Sequence, residues 1–360
     1  MSTASSSDTL IRALLSPALL ASEAYHVPDR QGLIQLDAME NPYSLPDALR
    51  AEWLASIGQA ALNRYPDPRP QALMDTLKTR LGLAPDLDLM LGNGSDELLQ
   101  LLVIAVAGTR RPVLAAEPSF AMYRILAEHL GLPFVGVPLD QDFQLDLPAF
   151  LQAIRVHQPA LIFLDWPNNP SGTLFPARDM EAIIAQAPGL VVVDEAYHPF
   201  SQVSFADRLG HSPNLLLLRT LSKEGLAGLR LGFLAGPAAW INELDKLRLP
   251  YNINVLTQLS AGFYLRHAAL LAEQAERIRA ERERLYRALR AMGFPIWPSA
   301  ANFLLFQAPG RASAIFTGLK AGGVLIKAFT GHPLLGDYLR VSVGKPEEND
   351  RFLAVLESLR

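Results

Sequence analysis

Short, unbroken apolar runs recur through the middle of the chain, at residues 113–116, 134–137, 161–164, 190–193, 215–218 and 231–234. Runs without an alternating polar position predict strands covered on both faces. Between most of them the apolar residues fall at helical spacing, as at 121–130, 147–156 and 177–187. Repeated strand–helix units of this kind predict an α/β fold, a mainly parallel sheet with helices on both faces.

The two ends of the chain break this rhythm. Residues 1 to about 30 are first Ser-rich, then apolar with Pro17 and Pro28, and read as a mobile arm holding a short helix near 10–15. A strand is expected at 33–39, closed by the turn formers Asn41, Pro42 and Pro46, with helices at about 47–60 and 69–81. Ser95 caps a further helix, and Asp96 and Glu97 suit its positive first turn. After Pro250 come one or two long helices within 254–292, where Glu273/Arg277 and Glu283/Arg287 stand at i,i+4 spacing. Short strands at 303–306, 324–326 and 339–343 follow, and Pro346 opens a last helix. The expected division is an arm (1–30), a large α/β domain (46–254), and a smaller α+β domain built from 31–45 and 255–360.

Composition narrows the partners. A chain of 360 residues, 50% hydrophobic and 19% charged, carries a sizeable core without staples. Its net charge of −4 supplies no basic field for nucleic acid or an anionic membrane. With no cysteine there is no disulfide, thiolate metal site or cysteine nucleophile. The N-terminus lacks a basic stretch followed by an apolar core, and the apolar segment 98–107 is well short of the ~20 residues that span a bilayer. A soluble cytoplasmic protein without a metal is expected.

The polar residues gather where chemistry is expected in an open α/β sheet, at the strand carboxyl ends. Run 161–164 leads into DWPNNPSG, run 190–193 into DEAYHPF, and run 215–218 into RTLSKEGLAGLRLG. Each feature has a structural alternative when taken singly. Asp194 caps a turn, Asn168 and Asn169 form one, Tyr197 packs, and Ser222-Lys223 is a solvated surface pair. Gly92-Asn93-Gly94 lacks the third glycine of a dinucleotide fingerprint. Their shared address on successive strand ends favours one site, with Lys223 as an amine that forms a Schiff base and Ser222 and Arg230 holding an anionic group beside it.

The set GNGSDE, EPSFAMY, WPNNPSG, DEAY and TLSKEGLAGLRLG, in this order, resembles the fold-type I pyridoxal-phosphate aminotransferases. AMENPY, NRYPDP, EPSFAMYRI, SAANFLL and YLRVSVGKPEEN are similar to motifs of the histidinol-phosphate aminotransferases within that family. The resemblance covers about residues 25–355 and implies pyridoxal 5′-phosphate as cofactor. It makes Lys223 the covalent amine and later the proton carrier, with Asp194 facing the ring nitrogen. Asn169 and Tyr197 would donate to the phenolic oxygen, and Phe120, otherwise a core aromatic, would stack on the ring. The phosphate would lie on Gly94, Ser95, Ser222 and Arg230. Tyr65 of the RYP motif would reach the neighbouring subunit's phosphate, which implies a homodimer.

For the substrates, histidinol phosphate and glutamate or 2-oxoglutarate, the resemblance points to Arg340, whose planar fork pairs with phosphate or carboxylate. Asn302 and Tyr25 are further contacts, with Tyr25 equally readable as an arm residue packing on the surface. Lys327 stands where many relatives have arginine, and Arg230 follows Lys223 by seven residues where eight is common. Met39 and Trp166 also depart from the pattern and bear on the substrate pocket. The neighbouring readings are an aromatic amino-acid aminotransferase, a phosphothreonine decarboxylase and a cofactor-binding regulator; the last is disfavoured because no helix-turn-helix segment precedes residue 30.

Overall fold

The computed structural model describes residues 6–24 and 29–360. Twelve strands follow the chain as β1 (Ile34–Gln35), β2 (Leu87–Gly92), β3 (Val113–Glu117), β4 (Phe134–Pro138), β5 (Leu161–Asp165), β6 (Leu190–Asp194), β7 (Leu215–Thr220), β8 (Gly232–Pro237), β9 (Phe303–Gln307), β10 (Val324–Leu325), β11 (Lys327–Ala328) and β12 (Tyr338–Ser342). Seven of them form one sheet in the order β2-β8-β7-β6-β5-β3-β4. Strands β7, β6, β5, β3 and β4 run parallel, as the strand–helix rhythm predicts. Only β8 opposes its neighbours β7 and β2. The cause is local, since residues 221–231 between β7 and β8 hold two 3-10 turns and no crossover helix to carry the chain back.

Alternation along the buried strands feeds two cores. Leu164, Val191, Val193, Leu215 and Leu217 point to one face, against Met74, Phe150, Ile154 and Ile183 of covering helices. Phe163, Val192, Leu216 and Leu218 point to the other, against Leu98, Leu102, Tyr123 and Leu126. A third core joins β9 and β12 to the helices Ala268–Ala291, Ala312–Ala321 and Pro346–Ser358, through Ile278, Leu285, Phe303, Phe306, Leu339 and Phe352. Tyr197 and Phe200, carried by the end of β6, belong to this third core. The expected α+β unit is therefore packed directly on the sheet's carboxyl edge. The helices of 254–292 are two: Val255–Arg266 packs Ala261 and Leu265 on the sheet, and Ala268–Ala291 packs Ala275 and Ile278 in the third core.

Three local expectations are corrected. The strand expected over 33–39 stops at Gln35, because the carbonyls of Asp37, Ala38 and Met39 bond to side chains of other elements and not to a strand partner. Ser95, expected to cap a helix, is instead the first residue of the helix Ser95–Ala107, with Gly94 at the cap position and no side-chain cap bond. Trp166 lines neither functional cleft: its indole nitrogen donates to the Phe175 carbonyl at 2.9 Å and its ring meets Phe205 edge-on, inside the sheet's core.

The start of helix Ser95–Ala107 lies directly on β8. A Cβ built on Gly232 would stand 2.6 Å from the Ser95 nitrogen and 2.7 Å from the Gly94 carbonyl carbon. Both neighbours are backbone, so Gly232→Ala should cost about 1–3 kcal/mol, as overpacking does, and lower the denaturation midpoint. An unchanged midpoint in a denaturant titration would show that the helix start is not seated there.

Candidate active site

Four strand ends supply the side chains. Phe120 follows β3, Asn169 follows β5, Asp194 and Tyr197 end β6, and Ser222 and Lys223 follow β7. Together with Ser95, Arg230, Asp96, Tyr123, Asp165, Thr220, Ala196 and Met39 they line a cleft of about 560 Å³. Buried parallel strands carry these residues there because β5, β6 and β7 end in register, with Asp165 opposite Asp194 and Asp194 opposite Leu218.

Asp194 sits at the floor. One carboxylate oxygen accepts from the Tyr123 hydroxyl at 2.8 Å and the other from the Ala196 amide at 3.0 Å. Both donors are neutral, and no cation pairs with Asp194 among the described residues. Burial raises its pKa to about 6. Asp165 is also pushed up, to about 7, by burial, against the bonds it accepts from the Asn169 amide and the Asn168 side chain. Those bonds shape the turn that presents Asn169, whose side-chain nitrogen donates to the Tyr197 hydroxyl at 3.2 Å. Burial holds the Tyr197 phenol above the ordinary tyrosine range.

Lys223 reaches into the same space, its Nζ donating to the Ala38 carbonyl at 3.1 Å. Burial first, and then the Arg340 charge, lower its pKa to about 8. At one end of the cleft, Arg230 has a left-handed backbone (φ 51°) after the turn Ala227–Leu229 and bends back over the helix start. Its guanidinium donates to Ser222 Oγ at 3.3 Å and to Asp96 at 3.2 Å. Gly94 lies beneath it, with φ of 85° and no room for a side chain. A guanidinium, a hydroxyl and the positive end of a helix are the parts of an anion site.

A second cleft adjoins the first through Met39, Phe120 and Asn169, and adds Lys327, Phe329, His332 and Arg340. Arg340 is buried, bonds to Asn169 and to the Asp37 carbonyl, and stacks near Phe303 and Phe329. Lys327 faces it across the β11–β12 pair.

A family model described as aminotransferase class I and II matches residues 31–356. The chain is 51% identical to "Histidinol-phosphate aminotransferase 2" of Cupriavidus pinatubonensis, over 96% of each chain. It is likewise 51% identical to the protein of that name from Nitrosococcus oceani, over 96% of this chain and 97% of the relative. A solved histidinol-phosphate aminotransferase from Sinorhizobium meliloti, in complex with pyridoxal-5′-phosphate, has a TM-score of 0.84 at 27% identity, covering 97% of this chain and 99% of that one. The chain belongs to the class I and II aminotransferases. Its fold is the fold-type I architecture expected from the motifs.

Not every residue singled out in the aminotransferase sequence enters the clefts. Asn302 is fully buried and donates to the Met39 carbonyl at 2.9 Å, behind the cleft wall. Tyr65 is exposed, stacks on Tyr251 with ring centroids 4.4 Å apart, and lines neither cleft. Tyr25 lies outside the described residues. Conversely, Tyr123 and Asp165 touch the site's central groups and were not picked out. Tyr123 had a signal, because it belongs to the same EPSFAMY motif as Phe120. Asp165 had only its place at a strand end beside Asp194.

The raised carboxyls set a pH dependence. Between about pH 4 and 7 the folded chain holds protons on Asp194 and Asp165 that the unfolded chain has released, so stability falls as pH rises through that window. Melting of cofactor-free protein should show this slope, and Asp194→Asn should reduce it. A slope identical in the variant would remove Asp194 from this account.

Proposed function

We propose that this aminotransferase binds pyridoxal 5′-phosphate and interconverts histidinol phosphate plus 2-oxoglutarate with imidazole-acetol phosphate plus glutamate, in histidine biosynthesis, as a homodimer. The observation that carries the reading is 51% identity, over 96% of the chain, to relatives named histidinol-phosphate aminotransferase.

The cleft's charges fit the cofactor. Asp194 is a buried carboxylate held by neutral donors, which suits a protonated ring nitrogen as its missing cation. Ser222, Arg230 and the helix start at Gly94 and Ser95 suit a phosphate, and Phe120 suits a ring face. When bound, the cofactor supplies the electron sink that lets a substrate C–H bond break. Lys223 moves the proton at Nζ, and a pKa lowered to about 8 leaves a useful neutral fraction near pH 7. Asn169 and Tyr197 present donors for a phenolate oxygen. Arg340, with Lys327 beside it, receives the anionic end of each substrate, a phosphate ester in one half-reaction and a carboxylate in the other.

Tyr65 is proposed to complete the partner subunit's phosphate site, a role suited to an exposed phenol that lines neither cleft of its own chain. Coexpressed Tyr65→Ala and Lys223→Ala chains should then recover activity that neither has alone, up to roughly a quarter of wild type, because each mixed dimer keeps one intact site. No recovery in isolated mixed dimers would leave Tyr65 outside the site.

Substrate and chemistry are tested together by single-turnover spectroscopy of the loaded enzyme. Glutamate and histidinol phosphate should each convert the cofactor to its amine form. Lys223→Ala should lose the visible absorbance of the lysine-bound cofactor and turn over at least ~10³-fold more slowly, while Asp194→Asn binds cofactor more weakly. Carbon dioxide release from phosphothreonine, or faster turnover of phenylalanine than of histidinol phosphate, would overturn the substrate assignment.

A further inference from the structure

Three successive backbone carbonyls beside the cleft each receive a different side chain. Asp37 O accepts from Arg340 Nη2 at 3.2 Å, Ala38 O from Lys223 Nζ at 3.1 Å, and Met39 O from Asn302 Nδ2 at 2.9 Å. The Met39 amide in turn donates to Ser342 Oγ at 2.8 Å. Met39 has φ of 53°, a left-handed conformation that a non-glycine residue adopts only when its surroundings hold it there. The holding groups are Asn302 and Ser342, both buried and both on or beside β9 and β12 of the smaller domain.

We propose that Asn302 and Ser342 are positioning residues: by clamping Met39 in its left-handed turn they aim the Ala38 carbonyl at Lys223, making that carbonyl the station of the free lysine amine. A covalent lysine that is released and recaptured in each cycle needs such a station, since a free side chain with four rotatable bonds would otherwise spread over many rotamers. The same turn ties the amine to Arg340 through the adjacent Asp37 carbonyl, so both functional cations are indexed to one short piece of backbone. The inference rests on Lys223 being the reactive amine, and its test does not depend on turnover.

The charged groups around the amine are Arg340 and Arg230, which oppose its positive charge, and Glu40 and Asp96, which favour it. Asp37 and Glu40 both pair with Arg30, and the Tyr197 ring lies 5.9 Å from Nζ. A carbonyl acceptor adds to the favourable side, so losing it should make the amine easier to deprotonate.

Competitive acetylation of cofactor-free protein, read by mass spectrometry of the Lys223 peptide across pH 6 to 10, measures this directly. Asn302→Ala and Ser342→Ala should move the half-maximal pH down by about one unit. Met39→Val, whose branched side chain resists a left-handed backbone, should do the same, while Met39→Gly, which accepts it, should stay near wild type. If Asn302→Ala does not fold, the Met39 pair decides. Wild-type profiles in all folded variants, or equal shifts in Met39→Gly and Met39→Val, would overturn the proposal. Because no substrate or cofactor enters, failure of the transaminase reading would leave this result unaffected.

Discussion

Bringing a carboxylate and an amine to the floor of one cleft works against their solvation, and the surrounding structure is arranged to offset that. Asp194 and Lys223 are both shifted toward their neutral forms, in opposite directions on the pH scale and for the same reason. Each keeps part of its charge through a few fixed dipoles: a phenol and an amide for Asp194, a backbone carbonyl for Lys223. Fixed dipoles in place of mobile water cost little reorganisation when charge moves. The aminotransferase fold supplies them from the first turn of a helix, the turn after β6 and the backbone that follows β1.

The two sides of the cleft are not independent. Asn169, shaped by buried Asp165 on the sheet side, bonds at once to Tyr197 and to Arg340 of the smaller domain. Tyr197 packs edge-on against Phe303 of β9, and Lys223 reaches the Ala38 carbonyl that precedes the clamped Met39. A displacement of the smaller domain would therefore disturb the groups around Lys223 as well as Arg340. The two clefts share Met39, Phe120 and Asn169 as common lining.

Much of this was legible along the chain because its cause is local. Strands buried on both faces leave unbroken apolar runs, parallel connections leave helical spacing between them, and the polar groups of such a sheet fall at its carboxyl ends. DEAY, NNPSG and the lysine loop are therefore assignable to one site from the sequence alone, and the family follows from them. What the sequence could not carry were contacts whose partners lie far apart in it. The Tyr123 hydroxyl on Asp194, the core position of Trp166 and the placement of Asn302 behind the wall depend on how helices and sheet pack. The expected strand at 33–39 failed for that reason: its apolar pattern is strand-like, but its carbonyls bond to Arg340, Lys223 and Asn302, more than 180 residues away. Periodicity along a chain reports which face is dry, whereas only the folded structure decides which donor finds which acceptor.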